Sequence, residues 1–378
     1  MAVRKLARTQ TQVKAKEVAK SSKKEVVVES EQVDDNDLIP SGSTMLNLAC
    51  SDSIIGAFRP GTIVNLIGDT SAGKSMLALT MLAVISNDKR FDNYDLYYDD
   101  AEQTNEFDMD YLFGKNAVNR IILKNSVYAE ETGDELYAVC EKAEKKNGKP
   151  FIYFTDSWDV LRSKYEEKKE KVNIGKRKRD QKEEGSYGDG KAAMLHKFCR
   201  LNVGRIKETK SLWVIVSQTK DNFGFDAIFN PKIVTGGNAI KFFPSHRVWL
   251  TIMGRHRDKG REIGVTSKVK VVKNKFSGKR RNVVVPIYTD YGVDDIGSMV
   301  SFLNGDYGGT HWKTSTKKVD EKSVTAIDAK ELNVFLREGA LIKYIEKNNL
   351  ENRVKQVCSR VWNDIEESIR LDRKPKFE

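Results

Sequence analysis

Cysteine and histidine are scarce in this 378-residue chain, with four of each. Cys50, Cys140, Cys199 and Cys358 lie far apart without a Cys-x-x-Cys pair, and His196, His246, His256 and His311 show no ligand spacing beside them. Neither a zinc site nor a disulfide framework is expected from such a pattern. Also missing is any apolar run of about 18 residues, and the Lys-rich N-terminus has no apolar segment of the kind a signal peptide needs. Those absences argue against membrane spanning and secretion, and the expectation is a soluble, cytoplasmic protein. Acidic residues are outnumbered, 54 against 65 Lys+Arg, for a formal charge of +11. A surplus of this sign favours polyanionic partners, nucleic acid first, although it equally describes a merely soluble basic protein.

Residues 1–24 hold eight Lys/Arg against Glu17 alone, with almost nothing apolar to bury, and read as a mobile basic arm. Val26-Val27-Val28 follows as a short β-like run, either a linker or a strand lent to a neighbouring subunit. From Leu38 the pattern becomes strand-length apolar runs alternating with helical ones: Thr62–Ile67, Met76–Ile85, Leu96–Tyr98, Ile121–Leu123, Glu135–Lys145, Phe151–Thr155 and Leu212–Val216. Such alternation predicts an α/β fold with a mainly parallel central sheet. Val248–Ile252, Val269–Val272 and Val283–Ile287 lack long helices between them and predict an antiparallel extension of the same sheet. The division expected is an arm over 1–37, a core over 38–303, and over 304–378 a linker followed by a small helical C-terminal module. In that module 329–347 and 350–371 carry apolar residues at helical spacing.

Gly68-Asp69-Thr70-Ser71-Ala72-Gly73-Lys74-Ser75 follows a predicted strand and opens a predicted helix, the setting a phosphate-binding loop requires. Its backbone N–H groups suit a polyphosphate, Lys74 the β/γ-phosphates of ATP, and Ser75 a Mg²⁺ ion. Phe151–Asp156 delivers an acid at the carboxyl end of an apolar strand, making Asp156 the candidate second metal group. Just past another strand stand Asp99, Asp100 and Glu102, with Glu102 the candidate base for water, or else part of a solvated acidic loop. Gln218 closes the strand Leu212–Ser217 and can sense a γ-phosphate from the same sheet edge.

Two segments suit DNA. After Gln218, residues 219–235 mix Lys220 and Lys232 with Phe223, Phe225 and Phe229, as a single-strand stacking surface does, though three Phe serve equally as hydrophobic anchors. The longest stretch read as irregular is 162–190; to Glu184 it holds ten Lys/Arg and six Asp/Glu. A length like this is functional or disordered, and its run Lys176-Arg177-Lys178-Arg179 is either a phosphate contact or a solvated charge cluster.

Taken together, the order of motifs over residues 38–303 resembles the RecA recombinase family. Pro40-Ser41-Gly42-Ser43 and Arg59-Pro60-Gly61 resemble its lead-in, Asp100-Ala101-Glu102 its catalytic-glutamate motif, and Asp156-Ser157 its Walker B ending. Gly236-Gly237-Asn238 followed by Ala239–Phe242 is similar to the end of the family's second DNA loop, and Lys273-Asn274-Lys275 to an element whose lysines reach a neighbour's ATP. The resemblance implies a DNA-dependent ATPase with ATP and Mg²⁺ between protomers of a helical filament on single-stranded DNA, with duplex DNA as a further partner. It gives Lys273 and Lys275 their cross-subunit role, and makes 162–190 and 219–235 the DNA loops. Differences at both ends of the chain would suit a bacteriophage-encoded recombinase. Two rivals stay open: a ring-forming replicative helicase motor on the same fold, and an ATP-gated recombination accessory protein.

Overall fold

Alternation along the central strands sets the architecture. On Phe151–Asp156 every residue is buried, which a strand achieves only when both faces of its sheet are covered. Its neighbours divide the same way. Val64, Leu66, Phe154, Val214 and Val216 join one apolar cluster, while Ile63, Tyr153, Trp213 and Ile215, one step out of phase, join another. Successive side chains point to opposite faces, so the two clusters are the two sides of one sheet.

The computed structural model describes residues 34–103, 107–179, 181–182, 190–222, 232–234, 237–319 and 322–373. The basic arm and Val26–Val28 lie outside them. The sheet strands are β1 (Thr62–Gly68), β2 (Asp95–Asp100), β3 (Ile121–Lys124), β4 (Phe151–Asp156), β5 (Leu212–Asp221), β6 (Lys232–Val234), β7 (His246–Asp258), β8 (Arg261–Asn274), β9 (Asn282–Tyr288) and β10 (Gly292–Val293). Their order is β10-β9-β8-β7-β1-β5-β4-β2-β3, with β6 paired to β5. From β7 through β1, β5, β4 and β2 to β3 the pairing is parallel. The pairs β7–β8, β8–β9 and β9–β10 are antiparallel. A largely parallel sheet with an antiparallel extension, as the sequence predicts, is thus what the chain forms.

Helices α1 (Thr44–Ser51) and α2 (Lys74–Ser86) cover one face. The other is covered by α3 (Ala129–Glu144) and by α5 (Lys191–Glu208), which follows α4 (Lys164–Arg177). The helix α4 corrects the reading of 162–190 as irregular. Ser163 accepts the Glu166 N–H at 2.9 Å, and the Glu166 carboxylate accepts the Ser163 N–H in return. That Ser-x-x-Glu capping box was present in the sequence. Lys176 and Arg177 fall in the last turn, where cations oppose the helix dipole.

Beyond α6 (Asp295–Asn304) a second correction arises. Instead of a linker and a helix beginning at Ala329, the chain forms an antiparallel sheet of β11 (Lys313–Val319), β12 (Lys322–Ala329) and β13 (Val334–Leu336) before α7 (Glu338–Lys347) and α8 (Glu351–Ser368). Phe335 and Leu336 look helical by spacing, yet β13 pairs with Ile327–Ala329. Cross-strand pairs such as Thr316 with Thr325 and Lys317 with Asp328 support the sheet. Trp312, Ile327, Leu341, Val357 and Val361 join the same apolar cluster as Met299 and Phe302, so packing runs on past residue 303.

One polar cluster secures this region. Glu331 accepts hydrogen bonds from Trp312 Nε1 at 2.7 Å and Arg360 at 2.7 Å, and pairs with His311 at 2.5 Å. Burial pushes the Glu331 carboxyl up, but the His311 and Trp312 hydrogen bonds outweigh it and hold the group at about 2. Because the folded value lies below the ordinary one, the stability it adds is present above the usual carboxylate range and is lost as pH falls through about 2. Glu331→Gln is therefore expected to lower the urea midpoint at about pH 7, with the gap to the unsubstituted protein narrowing toward about pH 3. A gap independent of pH would show that the charge does not matter.

Candidate active site

Parallel pairing brings the carboxyl ends of β1, β2, β4 and β5 to one edge, where ligands bind in open α/β sheets. In register, Gly68 stands opposite Gln218, and Asp100 opposite Asp156. Gly68 must lack a side chain here: a Cβ would lie 2.6 Å from the Leu250 carbonyl oxygen on β7. From it the loop turns through Asp69, Thr70, Ser71 and Ala72 into α2, with Gly73 as N-cap in the left-handed region at φ +84°.

Lys74 opens α2 and is buried, its ammonium donating to the Asp69 carbonyl at 2.7 Å. Burial lowers its pKa, while Asp156, Glu102, Asp69 and Asp159 pull it back up. Asp156 is buried and accepts the Tyr98 hydroxyl at 2.7 Å. Burial pushes its carboxyl up, the Tyr98 and Ser75 hydroxyls draw it down, Glu102 raises it and Lys74 lowers it. The Ser75 hydroxyl is thus close enough to the Asp156 carboxyl to act on it.

Glu102 and Gln218, 116 positions apart, also meet. Gln218 Nε2 donates to Glu102 Oε1 at 2.6 Å, and the Ser157 hydroxyl donates to the same oxygen at 2.7 Å. The Asp156–Ser157 peptide is cis. Asp99 plays another part: its carboxylate accepts from Ser126 N, Thr132 Oγ1 and Tyr153 OH on the opposite face, fully buried. Of the three acids, it braces the sheet.

Beside the loop lies a cavity of about 370 Å³, lined by Thr70, Lys74, Ser75, Glu102 and Gln218 and, from the antiparallel strands, by Val265, Ile287 and Tyr288. Sequence reasoning missed these last residues. Their signal was faint: an aromatic closing β9, which antiparallel pairing returns to the loop's edge.

Lys273 and Lys275 are not at this edge. Arg247 pairs with Lys273 on one side and Asn65 on the other, three residues short of Gly68, so at ~3.3 Å per residue Lys273 sits about 10 Å back from the loop. Its ammonium donates to the carbonyls of Lys241 and Phe242 at 2.7 and 2.8 Å, and Lys275 to Phe242 at 3.2 Å. Burial, with Lys275 and Arg247 nearby, lowers Lys273 to about 8.

Among the DNA candidates, Lys220 is exposed on the β5–β6 ladder. Gly237 and Asn238 are exposed at the start of the helical turn Ala239–Phe242. Lys178 and Arg179 are exposed just past α4, and Arg177 pairs with Glu170. Phe223, Phe225 and Gly236 lie outside the described residues. Below Lys220, Thr219 donates to the Asp69 carboxylate and Lys232 pairs with it at 3.5 Å, tying β5–β6 to the phosphate loop.

A strand–loop–helix turn with acids and an amide converging on one sheet edge is an arrangement that suits a nucleotide in an α/β protein. A family model described as the RecA N-terminal domain matches residues 174–294, and with the sheet above it supports a RecA-family protein. Members of that family are generally DNA-dependent ATPases that use ATP with Mg²⁺, bind DNA and form oligomers. No helix among the described residues is long and apolar enough to cross a membrane.

Gly73→Ala places an L side chain at φ +84° and aims its Cβ at Ile287 Cδ1, 2.3 Å away. The expected cost is roughly 1–2 kcal/mol from the backbone alone, read as a lower denaturation midpoint. Unchanged stability would mean that the loop refolds around the new methyl.

Proposed function

We propose that the protein is a DNA-dependent ATPase that assembles filaments on single-stranded DNA, captures duplex DNA, and promotes homologous pairing and strand exchange. The observation that carries this reading is the 2.6 Å hydrogen bond from Gln218 to Glu102. It joins the group best placed to orient water to the strand that leads into residues 219–235.

The residues fit ATP with Mg²⁺. Four carboxylates act on one buried ammonium at Lys74, and such an excess of negative charge calls for a cation to accompany a polyphosphate. Ser75 and Asp156 would hold Mg²⁺, which needs few protein ligands when phosphates supply the rest. The backbone from Gly68 to Ser75 would cradle the phosphates, with Lys74 leaving the Asp69 carbonyl to meet them. Tyr288 would offer its ring to the base. Glu102 would orient the attacking water. The bound ion would neutralise charge developing on the transferred phosphoryl group.

DNA would be held by Lys220, Phe223, Phe225, Gly236, Gly237 and Asn238 from the second loop and by Lys176–Arg179 from the first, through phosphate contacts and base stacking. Lys273 and Lys275, set back from their own phosphate loop, would serve a neighbour's nucleotide. An oligomer also suits β3. It is the end strand of the sheet, with Ile122 and Leu123 exposed on it, and such an edge accepts a strand like Val26–Val28 of another copy.

Electron microscopy with single-stranded DNA and a nonhydrolysable ATP analogue, together with assays for strand pairing and fork unwinding, tests the reading. Helical filaments and pairing support it; rings that unwind forks would establish the helicase motor instead. Replacing both Lys273 and Lys275 by Ala is expected to reduce DNA-stimulated hydrolysis while nucleotide binding persists. Wild-type turnover in that variant would rule out the cross-subunit role.

A further inference from the structure

Asp159 lies three residues past Asp156 and just ahead of the first of the two segments read as DNA loops. Its Oδ2 accepts the backbone N–H of Gln218 at 2.7 Å. Its main-chain carbonyl accepts the Lys191 ammonium at 3.0 Å, and the same ammonium donates to the Leu161 carbonyl at 2.9 Å. Oδ1 is buried and has no partner among the described residues. Lys191 begins α5, so the main chain of Asp159 is bonded to the far end of the 162–190 segment and its side chain to the strand that opens 219–235.

The short run from Asp156 to Asp159 is fixed on all sides. Trp158 is buried, edge-on to Phe198 of α5, and its backbone N–H donates to the Val216 carbonyl on β5. Ser157 holds Glu102. A closed circuit results: Ser157 to Glu102, Glu102 to the Gln218 side chain, the Gln218 backbone to Asp159, and Asp159 back along the chain to Ser157. A displacement of Glu102 or Gln218 within it must be taken up at Asp159.

We propose that Asp159 is a positioning residue that couples the nucleotide site to both DNA segments at once, carrying a shift at Gln218 into the root of 162–190. This rests on the functional reading given above. A buried carboxylate oxygen without a partner is costly, and here it gives the circuit a second arrangement to move into. Lys191, Lys220 and Lys74 are the cations that act on the carboxyl, which burial pushes up and the Gln218 amide draws down. Lys220, exposed on the strand that follows Gln218, is the partner Oδ1 takes when that strand shifts. An aspartate that merely caps a turn would hold the Gln218 amide, and its loss would leave the nucleotide response at 158–164 unchanged.

Hydrogen exchange on the full chain, with and without Mg²⁺ and a nonhydrolysable ATP analogue, separates the two roles. In the wild type the nucleotide is expected to change exchange in residues 158–164 and 216–222 as well as in the phosphate loop. Asp159→Ala is expected to keep the loop response and lose the response at 158–164, and Asp159→Asn, which can still accept the Gln218 amide, to restore it. DNA stimulation of hydrolysis should fall in Asp159→Ala by about 5- to 150-fold, the range of ordinary coupling between sites. Should Asp159→Ala not fold, Lys191→Met removes the first-segment arm and is expected to silence 158–164 while sparing 216–222. A wild type without nucleotide-dependent change at 158–164, or an Asp159→Ala or Lys191→Met protein that keeps that change, overturns the proposal. A wild type whose turnover ignores DNA refutes the functional reading instead, and the exchange comparison still decides the role of Asp159.

Discussion

Parallel pairing of β1 with β5 in the register that sets Gly68 opposite Gln218 is the constraint on which the site depends. A slip of one residue would turn every side chain of one strand to the other face. It would exchange Trp213 and Ile215 with Val214 and Val216 between two filled cores. The apolar packing on both faces therefore fixes the register, and the register delivers Gly68–Ser75 and the Gln218 amide to the same edge. The geometry of this edge is inherited from core packing.

Electrostatics sharpen the arrangement. Lys74 is a buried ammonium that acids at the ends of β2 and β4 and in its own loop draw toward its charged form, and Asp156 is a buried carboxyl that two hydroxyls help to ionise. Neither side is self-sufficient: burial works against the charged form of both. A site balanced in this way is poised for a ligand bringing both signs of charge, and a polyphosphate with its metal is such a ligand. The Asp69 carboxylate, gripped by Thr219 and Lys232, gives the loop a second tie to β5–β6 beside the Gln218–Glu102 bond.

Much of this was legible because local pattern and global fold agree. The strand Phe151–Asp156 announces its burial by the apolar run Phe151–Phe154, and Gly68–Ser75 announces its turn by two glycines between a strand pattern and a helix pattern. Helix α4 was hidden because it offers the core almost nothing: Asn173 is its one buried residue, so no hydrophobic period marks it and only the Ser163–Glu166 cap betrays it. The strands β11 to β13 were hidden because Lys and Thr fill β11 and leave it no apolar period, and because β13 is only Val334–Leu336, whose apolar residues also fit a helical spacing. Tyr288 and Asp159 belong to the same class. Their places follow from which strand returns to which edge, and a single sequence states no such contact.

The bond between Gln218 and Glu102 is the link we propose from nucleotide to DNA. ATP turnover measured with and without single-stranded DNA, in the wild type and in Gln218→Ala, tests it most directly. DNA is expected to accelerate the wild type strongly, and the variant to bind ATP yet hydrolyse it at a rate indifferent to DNA. A Gln218→Ala protein stimulated by DNA as fully as the wild type would contradict the account.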